Sequence, residues 1–289
     1  MKKRSPHQRV CPQCNKPLTY VNKSNFNAAV KRNSPCRDCM NVPDNKQGDL
    51  SPLLLDTPES YYWMGFLLAD GHFSAKGVMK ITLASIDRSH LLKLKKFLHI
   101  KNMQEENNGK AVCIKTMDTK LVPIITSKFD ISNKKTYQPP NLSFIKDRDL
   151  LMSLIIGYID GDGCIAKKAK GFSLNIHCHA SWLKTIDSFV KAINPTSTAR
   201  IRPDGYASAS VSNNESLKEL KRFAINKNLP ILKRKWDKID LDFIPYQEQR
   251  MRQFKQLKKN ILKYRDLPWF GPELYKFVSQ HLTQESVHA

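Results

Sequence analysis

Apolar residues recur along this chain with two periods, and both periods appear in the same order in two consecutive stretches. The first stretch opens with a nearly continuous apolar segment that predicts a buried helix ending at Asp70. Apolar residues then recur first at alternating positions and next at positions three and four apart, and Asp87 is a candidate N-cap for the helix that the second pattern predicts. The predicted elements after the first helix are a strand at 78–84, a helix after Asp87, short strands around Met103 and at 111–116, and a helix near 120–129.

The second stretch repeats this order after another apolar segment, which ends at Asp162. Residues 173–179 alternate between a polar and an apolar face, which is typical of a half-buried antiparallel strand. A helix at 182–193, a hairpin at 199–211 turned around Gly205, and a helix at 215–224 complete the unit. This order predicts an α+β fold with two related domains and antiparallel sheets.

Composition and spacing divide the chain into five regions. Paired cysteines mark a small N-terminal module, a segment containing Pro and Gly is expected to be a linker, and a basic helix at 248–264 is predicted beyond the second repeat. The predicted regions are a module at 1–42, a linker at 43–57, repeats at 58–140 and 141–244, and a helical extension at 245–289.

The two apolar segments that open the repeats also share a sequence pattern. The first reads WMGFLLADG and the second reads IIGYIDGDG, and their final acids lie 92 residues apart. Small residues four positions apart share one helix face and let two helices approach closely. These small residues are Gly65 and Ala69 in the first copy, and Gly157 and Gly161 in the second.

Each segment ends on an acid followed by glycine, which predicts a left-handed cap at the helix C-terminus. Asp70 and Asp162 would then lie in last turns, where the helix dipole disfavours negative charge. Two such acids brought together repel each other unless a cation lies between them. Mg²⁺ is bound by carboxylate and carbonyl oxygens, so the pattern favours a magnesium site.

At these residues the chain resembles the LAGLIDADG homing endonucleases, in their single-chain, two-motif form. The second copy fits the motif closely, whereas in the first copy Leu68 stands where the motif has its earlier Asp, and Trp63 and Met64 replace the opening Leu-Ala. The resemblance spans roughly residues 58–240. The alternative interpretation is a pair of buried helices with incidental glycines and acids.

The resemblance implies a monomer that makes a metal-dependent double-strand break in a long, asymmetric DNA target. It assigns the catalytic acids to Asp70 and Asp162, which would hold Mg²⁺ with the backbone carbonyls of Ala69 and Gly161. It also implies a nearby lysine that supports transition-state charge or proton transfer. We select Lys135 over Lys134 after the first repeat, and Lys235 over Lys233 after the second. The alternative is that residues 233–235 merely bind phosphate.

The formal net charge of +22 and the pI of about 9.7 favour a polyanionic partner without separating DNA from RNA. A polar sheet face suits base edges and phosphates, and the resemblance implies two sheets laid along DNA. For each of these polar residues, the alternative interpretation is an ordinary solvent-facing strand position. The candidate DNA-binding residues are Lys80, Thr82, Lys115, Asn175, His177, His179, Arg200, Arg202, Ser208 and Ser210.

Four of the seven cysteines form two Cys-x-x-Cys pairs near the N-terminus. Cys11, Cys14, Cys36 and Cys39 can supply four thiolates to one tetrahedral Zn²⁺, which leaves no open position and predicts a structural role. The segment between the pairs is polar and basic, so its folding would depend on the metal. A redox pair or unligated thiols are the alternatives.

Three functions from different classes fit these features. The first is a site-specific DNA endonuclease, the second an RNA maturase that binds its intron, and the third a DNA-binding regulator that has lost cleavage. Retention of both acids favours the first. The chain has no apolar run long enough to span a membrane and no apolar core after its basic N-terminus, so we expect a soluble, intracellular protein, in a prokaryotic or phage-infected cytoplasm or in an organelle.

Overall fold

The structure is a computed structural model of the chain, and it describes residues 7–12, 14–34, 36, 48–244 and 255–256. Near the N-terminus, two short strands form an antiparallel hairpin that is followed by one helix. Their bounds are β1 His7–Val10, β2 Pro17–Tyr20 and α1 Lys23–Lys31.

The first repeat contains three helices and a four-stranded sheet. A 3₁₀ turn at Ser51–Leu54 precedes it, and another at Ser85–Asp87 leads into its second helix. The elements are α2 Pro58–Asp70, β3 Gly71–Phe73, β4 Val78–Ala84, α3 Arg88–Phe97, β5 Gln104–Glu106, β6 Ala111–Met117 and α4 Leu121–Lys128.

The second repeat follows the same plan and ends with a short additional helix. A 3₁₀ turn at Ala180–Trp182 again leads into the helix that follows the first two strands. The elements are α5 Arg148–Asp162, β7 Gly163–Lys168, β8 Gly171–His179, α6 Leu183–Ile193, β9 Ala199–Ile201, β10 Tyr206–Val211, α7 Asn214–Asn226 and α8 Lys233–Trp236.

Both sheets are antiparallel and share one strand order. The order is β3-β4-β6-β5 in the first and β7-β8-β10-β9 in the second, so each strand has a counterpart in the other repeat. In β4, Met79, Ile81 and Leu83 are buried in the core, whereas Lys80 and Thr82 lie on the more open face. The predicted α+β class, with paired antiparallel sheets, is confirmed.

Helices α2 and α5 pack against each other so closely that their backbones touch. A Cβ added at Gly65 would lie 1.8 Å from the carbonyl oxygen of Leu154, and one added at Gly157 would lie 1.8 Å from that of Tyr62. At Gly161 the added atom would lie 2.2 Å from the Cβ of Ala69. The prediction that small residues bring the two helices together is therefore confirmed.

The predicted left-handed caps are wrong. Gly71 has φ −78° and ψ 160°, and Gly163 has φ −79° and ψ 150°, so both have extended conformations. Their small size serves another purpose, because a Cβ there would lie 2.5 Å from Leu67 O or 2.6 Å from Ile159 O. The chain therefore passes from each helix directly into a strand, and the glycine at this junction packs closely against the last helical turn.

Asp87 stands at the N-cap position of α3, as predicted, but its side chain makes no capping hydrogen bond. Its carboxylate instead forms an ion pair with Arg234, at 2.6 Å. A long-range ion pair has replaced the local bond that the sequence position suggested.

The described part of the predicted linker at 43–57 packs against the first repeat. Leu50 and Leu53 are buried in the core of the first repeat, and Ser60 Oγ donates a hydrogen bond to Pro52 O at 2.7 Å. Apolar side chains on either side of a proline turn explain the docking. The helix predicted at 248–264 lies outside the described residues except for residues 255–256, as does the rest of the predicted extension at 245–289.

We predict that Gly157→Ala destabilises the protein by about 3 kcal/mol or more, because the new methyl group overlaps the backbone of α2. The free energy of unfolding, measured by urea titration, provides the test. Gly109→Ala is the control, because Gly109 has φ +80° but open space around it. That variant should lose only about 1 kcal/mol, from backbone strain, and equal losses would contradict the proposed helix contact.

Candidate functional site

Asp70 and Asp162 are the last residues of α2 and α5, and the crossing of these helices brings the two carboxylates together. A Cβ at Gly161 would lie 3.2 Å from Asp70 Oδ2, so the first carboxylate reaches over the end of the second helix. Both acids are exposed to solvent between the two helix ends, in a region that we call the acid cleft. The site is therefore open to a ligand, and its two acids come from equivalent positions in the repeats.

The electrostatics of this cleft disfavour two negative charges. Lost hydration and the neighbouring Asp162 carboxylate raise the pKa of Asp70 to about 6, against the opposing effect of two lysines. Lost hydration also raises the pKa of Asp162 above its ordinary value, although a hydrogen bond from Tyr158 and the same lysines oppose the shift. The pair would thus be stabilised by a further positive charge.

Lys135 and Lys235 lie at equivalent places beside the two helix ends. Lys135 Nζ donates to the carbonyls of Leu67, Leu68 and Ala69, the last at 2.8 Å. Lys235 Nζ donates to the carbonyls of Ile159, Asp160 and Gly161 at 3.0, 2.6 and 2.8 Å. Each ammonium group therefore binds carbonyls of the last helical turn, at the negative end of the helix dipole, although Leu67 O and Ile159 O also accept from Gly71 N and Gly163 N.

Burial changes the acid–base properties of both lysines. Lost hydration lowers the pKa of Lys135 to about 8, while Asp162 and Asp70 act in the opposite direction. It also lowers the pKa of Lys235. A lysine with a pKa near 8 can hold or release a proton close to neutral pH.

The donor set at the helix ends fits a hard divalent cation. Two solvent-accessible carboxylates converge there, and carboxylate oxygens are the ligands that Mg²⁺ prefers. The carbonyls of Ala69 and Gly161, which we expected to be metal ligands, each accept a hydrogen bond from a lysine. A carbonyl oxygen has a second lone pair, so a further contact is still available to it.

The open face of the second sheet forms a polar groove of about 930 Å³. Predicted DNA-binding residues from three of its strands line this groove together. They are Asn175, His177, Arg200, Arg202, Ser208 and Ser210. Register explains the clustering, since Ser208 pairs with both His177 and Arg200 and Ser210 pairs with Asn175.

The open face of the first sheet has a different charge pattern. Lys80 forms an ion pair with Glu106 at 2.9 Å, and Thr82 Oγ1 donates to the same carboxylate at 3.4 Å. Lys115 pairs with Lys80 across the sheet and is exposed. The outer strand β5 thus contributes acids, whereas its counterpart β9, in the second repeat, contributes Arg200.

His179 differs in its surroundings from the other predicted DNA contacts. Its Nδ1 accepts a hydrogen bond from Ser181 N at 3.2 Å, at the start of the 3₁₀ turn, and its ring packs edge-on against Tyr137 at 4.9 Å. It lines a cavity of about 240 Å³ with Lys135 and Asp162. His179 is therefore next to the acid cleft. His177 lines the same cavity and also faces the groove, where its Nδ1 lies 3.4 Å from Arg202 Nη1.

Three of the four predicted zinc ligands lie together. The sulfurs of Cys11, Cys14 and Cys36 are all within 4.8 Å of one another, and Cys14 Sγ lies 3.7 Å from Cys36 Sγ. Cys36 N also donates to Cys11 Sγ at 3.1 Å. The fourth predicted ligand, Cys39, lies outside the described residues.

One buried network was not found from the sequence. Asp160, the earlier acid of the second motif, accepts hydrogen bonds from Tyr62 OH at 2.6 Å and from Trp236 Nε1 at 2.6 Å. His90 Nε2 lies 3.0 Å from the same tyrosine hydroxyl. The resemblance located Asp160 in the motif, but only the fold reveals partners 98 and 76 residues away.

No family model matches the chain, and no curated protein matches it. Solved structures with a similar arrangement of helices and strands include meganuclease I-SmaMI bound to uncleaveable DNA, at 14% identity over 60% of this chain and 85% of that chain, with a TM-score of 0.43. The I-LtrWI LAGLIDADG homing endonuclease bound to target DNA is similar at 15% identity, over 76% and 95%, with a TM-score of 0.40. LAGLIDADG meganuclease I-AabMI bound to uncleaved DNA is similar at 14% identity, over 63% and 88%, with a TM-score of 0.42.

Among the helices in the described ranges, none combines the length and the apolar character that a membrane crossing requires.

We predict that protonation of His90 destabilises the protein at low pH. Burial lowers the pKa of His90 to about 3, so the folded state keeps it neutral while the unfolded chain binds a proton below about pH 6.5. His90 should therefore lower stability by about 2 kcal/mol between pH 7 and pH 5, while the raised pKa of Asp70 acts in the opposite direction. Urea unfolding at both values measures this loss, which His90→Gln should remove.

His72→Gln serves as the control for this prediction, because His72 is exposed. This variant should keep the full pH-dependent loss of the parent protein. The same loss in His90→Gln as in the parent would show that His90 is not the group responsible.

Proposed function

We propose that this protein is a site-specific homing endonuclease that makes a metal-dependent double-strand break in a long, asymmetric DNA target. The observation that carries this proposal is the convergence of Asp70 and Asp162 at paired helix ends, each with a lysine bonded to the last-turn carbonyls. A binding protein has no need of two acids facing a phosphate backbone. An enzyme that hydrolyses phosphodiesters with metal ions does.

In this proposal each residue of the cleft has a defined role. Asp70 and Asp162 hold divalent cations, which supply the activation of water and the neutralisation of phosphate charge. Lys135 and Lys235 place positive charge where negative charge develops on the phosphate. Lys135 is also suited to hold or move a proton, since its pKa is about 8.

The two sheets support an asymmetric target. Arg200 and Arg202 face the groove of the second sheet and are suited to phosphates or to guanine edges. In the first sheet Glu106 neutralises Lys80 and offers an acceptor, which suits the amino group of cytosine. Two half-sites read by such different surfaces would differ in sequence.

Zinc binding by the N-terminal module is supported by the spacing of its sulfurs. Zinc–sulfur bonds of about 2.3 Å in a tetrahedron place sulfurs about 3.8 Å apart, close to the 3.7 Å between Cys14 and Cys36. Few apolar side chains of the module are buried: Val21 is 92% exposed and Val30 is 51% exposed. We infer that Cys39 completes the site and that the metal contributes much of the folding free energy.

Cleavage mapping tests the proposed activity. Randomised duplexes incubated with Mg²⁺ should yield one family of cut sequences, and Ca²⁺ in place of Mg²⁺ should permit binding without cutting. Affinities for the selected duplex and for structured RNA are measured at one salt concentration, because binding by so basic a chain falls steeply with salt. Tighter binding to RNA without cleavage of any duplex would favour the maturase instead.

We predict that Asp70→Asn or Asp162→Asn abolishes double-strand cleavage and keeps DNA affinity, because each removes one carboxylate from the shared centre. Asp187→Asn is the matched control, since Asp187 forms an ion pair with Lys191 on α6. It should cut at the parental rate. Full cleavage by either cleft variant would contradict the proposed mechanism.

We predict that the protein binds one Zn²⁺ per chain, and that Cys36→Ser loses the metal and unfolds the N-terminal module. Elemental analysis measures the metal, and limited proteolysis measures the folding of residues 1–42. Cys164→Ser is the control, because Cys164 is an exposed cysteine on β7 and should not affect zinc content. Protein purified without chelator that contains no zinc would contradict the assignment.

A further inference from the structure

Lys235 is carried by a short segment, residues 230–236, that we call the lysine strap. It follows the last long helix of the second repeat and includes α8. Lys235 is 6% exposed and Trp236 is fully buried, so the strap is embedded in the protein along its inner side. What fixes the strap therefore fixes the position of the Lys235 ammonium group.

Asp160 holds the strap from inside. Its Oδ2 accepts a hydrogen bond from Leu232 N at 2.8 Å, and its Oδ1 accepts one from Trp236 Nε1 at 2.6 Å. These two donors lie on either side of Lys235 in the chain. A single carboxylate therefore spans the segment and sets its register against α5.

Tyr62 of α2 extends this anchor into the first repeat. Its hydroxyl donates to Asp160 Oδ2 at 2.6 Å, so the hydroxyl oxygen is left to accept from His90 Nε2 at 3.0 Å. His90 is then the Nε2–H tautomer, and its Nδ1 is a buried nitrogen with no hydrogen-bond partner among the residues that the structure describes. Asp160 accepts from three donors, so both of its oxygens are hydrogen-bonded.

Two further contacts hold the strap from its outer side, and both come from the first repeat. Lys93 Nζ donates to Pro230 O at 3.2 Å and to Ile231 O at 3.1 Å. Arg234 makes a bidentate ion pair with Asp87, with both distances at 2.6 Å. The strap of the second repeat is therefore fastened to the first repeat as well as to its own helix α5.

The segment around Lys135 is held differently. Lys135 O accepts from Trp182 Nε1 at 2.9 Å, and Thr136 O accepts from Ser181 Oγ at 2.9 Å. Leu68 occupies the place in α2 that corresponds to Asp160 in α5. The two lysines thus reach equivalent helix ends, but only the position of Lys235 depends on a carboxylate in the motif helix.

We propose that each acid–lysine pair of the cleft forms the centre that cuts one DNA strand, and that Asp160 is a positioning residue for the Lys235 centre, where it acts with Tyr62 by fixing Lys235 against the end of α5. This inference rests on the proposed endonuclease activity. It assigns unequal support to the two centres. Loss of Asp160 should therefore slow the cutting of one DNA strand more than the other.

Asp160→Asn tests this inference with little change in shape. The amide offers one acceptor oxygen in place of two, so its NH₂ group faces a donor and at least one strap contact is lost. A shift of about 1 Å in a positioned catalytic group costs on the order of 100-fold in rate. We expect the strand cut at the Lys235 centre to slow by about 10- to 100-fold, so that nicked DNA accumulates.

Tyr62→Phe is a milder second variant, which removes one donor from Asp160 and a longer contact of 3.4 Å with Pro230 O, and leaves the bonds from Asp160 to the strap in place. Tyr61→Phe is its matched control, because Tyr61 is the preceding residue on α2 and its hydroxyl donates to Asp56, away from the strap. The measurement uses a duplex labelled on both strands and gives separate cleavage rates, with affinity determined in Ca²⁺. Equal slowing of both strands in Asp160→Asn and Tyr62→Phe would overturn the inference.

Hydrogen exchange provides a readout that does not need cleavage. Asp160→Asn should speed amide exchange in residues 230–236 and leave residues 133–137 at the parental rate, since those are held by Trp182 and Ser181. Unchanged exchange in the strap would also overturn the inference. If the parental protein cuts no DNA, the proposed activity fails, while the exchange result still decides whether Asp160 holds the strap.

Discussion

The contact between α2 and α5 is the interaction on which the rest of the structure depends. Because Gly65 and Gly157 carry no side chain, each helix backbone lies where the Cβ of the other would be. This close approach joins the two repeats into one core and brings the last turns of both helices to one place. The position of the acid pair follows directly from the absence of two methyl groups.

The repulsion within the cleft is the cost of this arrangement. Acids at the C-terminal ends of two helices meet both the helix dipoles and each other, and the raised pKa of Asp70 reflects lost hydration and this repulsion. The lysines reduce the problem without removing it, because their ammonium groups are bonded to carbonyls and not to the carboxylates. The site thus keeps uncompensated negative charge, in agreement with the divalent-cation site that we propose.

The sequence predicted the order of elements well, because periodicity reports which face of each element is buried. The strand at 78–84 and the hairpin around Gly205 agree with β4 and with β9–β10. It failed where a local signal was overruled by a distant partner. Asp87 was expected to cap a helix and instead binds Arg234, and the glycines after the acids proved necessary for space and not for a positive φ. Asp160 lay within the recognised motif, yet its partners are far away in the chain, and no local pattern encodes them.

Each lysine segment is held in part by the other repeat. Residues 230–236 belong to the second repeat and are bound by Lys93 and Asp87 of the first. Residues 135 and 136 belong to the first repeat and are bound by Trp182 and Ser181 of the second. Neither half contains all of the parts that hold its own lysine, since Asp160 of the second repeat holds the strap together with residues of the first. An exchange of one half for that of another chain, whether by recombination or by design, would transfer a lysine without part of its anchor. We expect the sheet faces to be free to diverge independently, whereas the anchors must be inherited as pairs that cross the boundary between the halves.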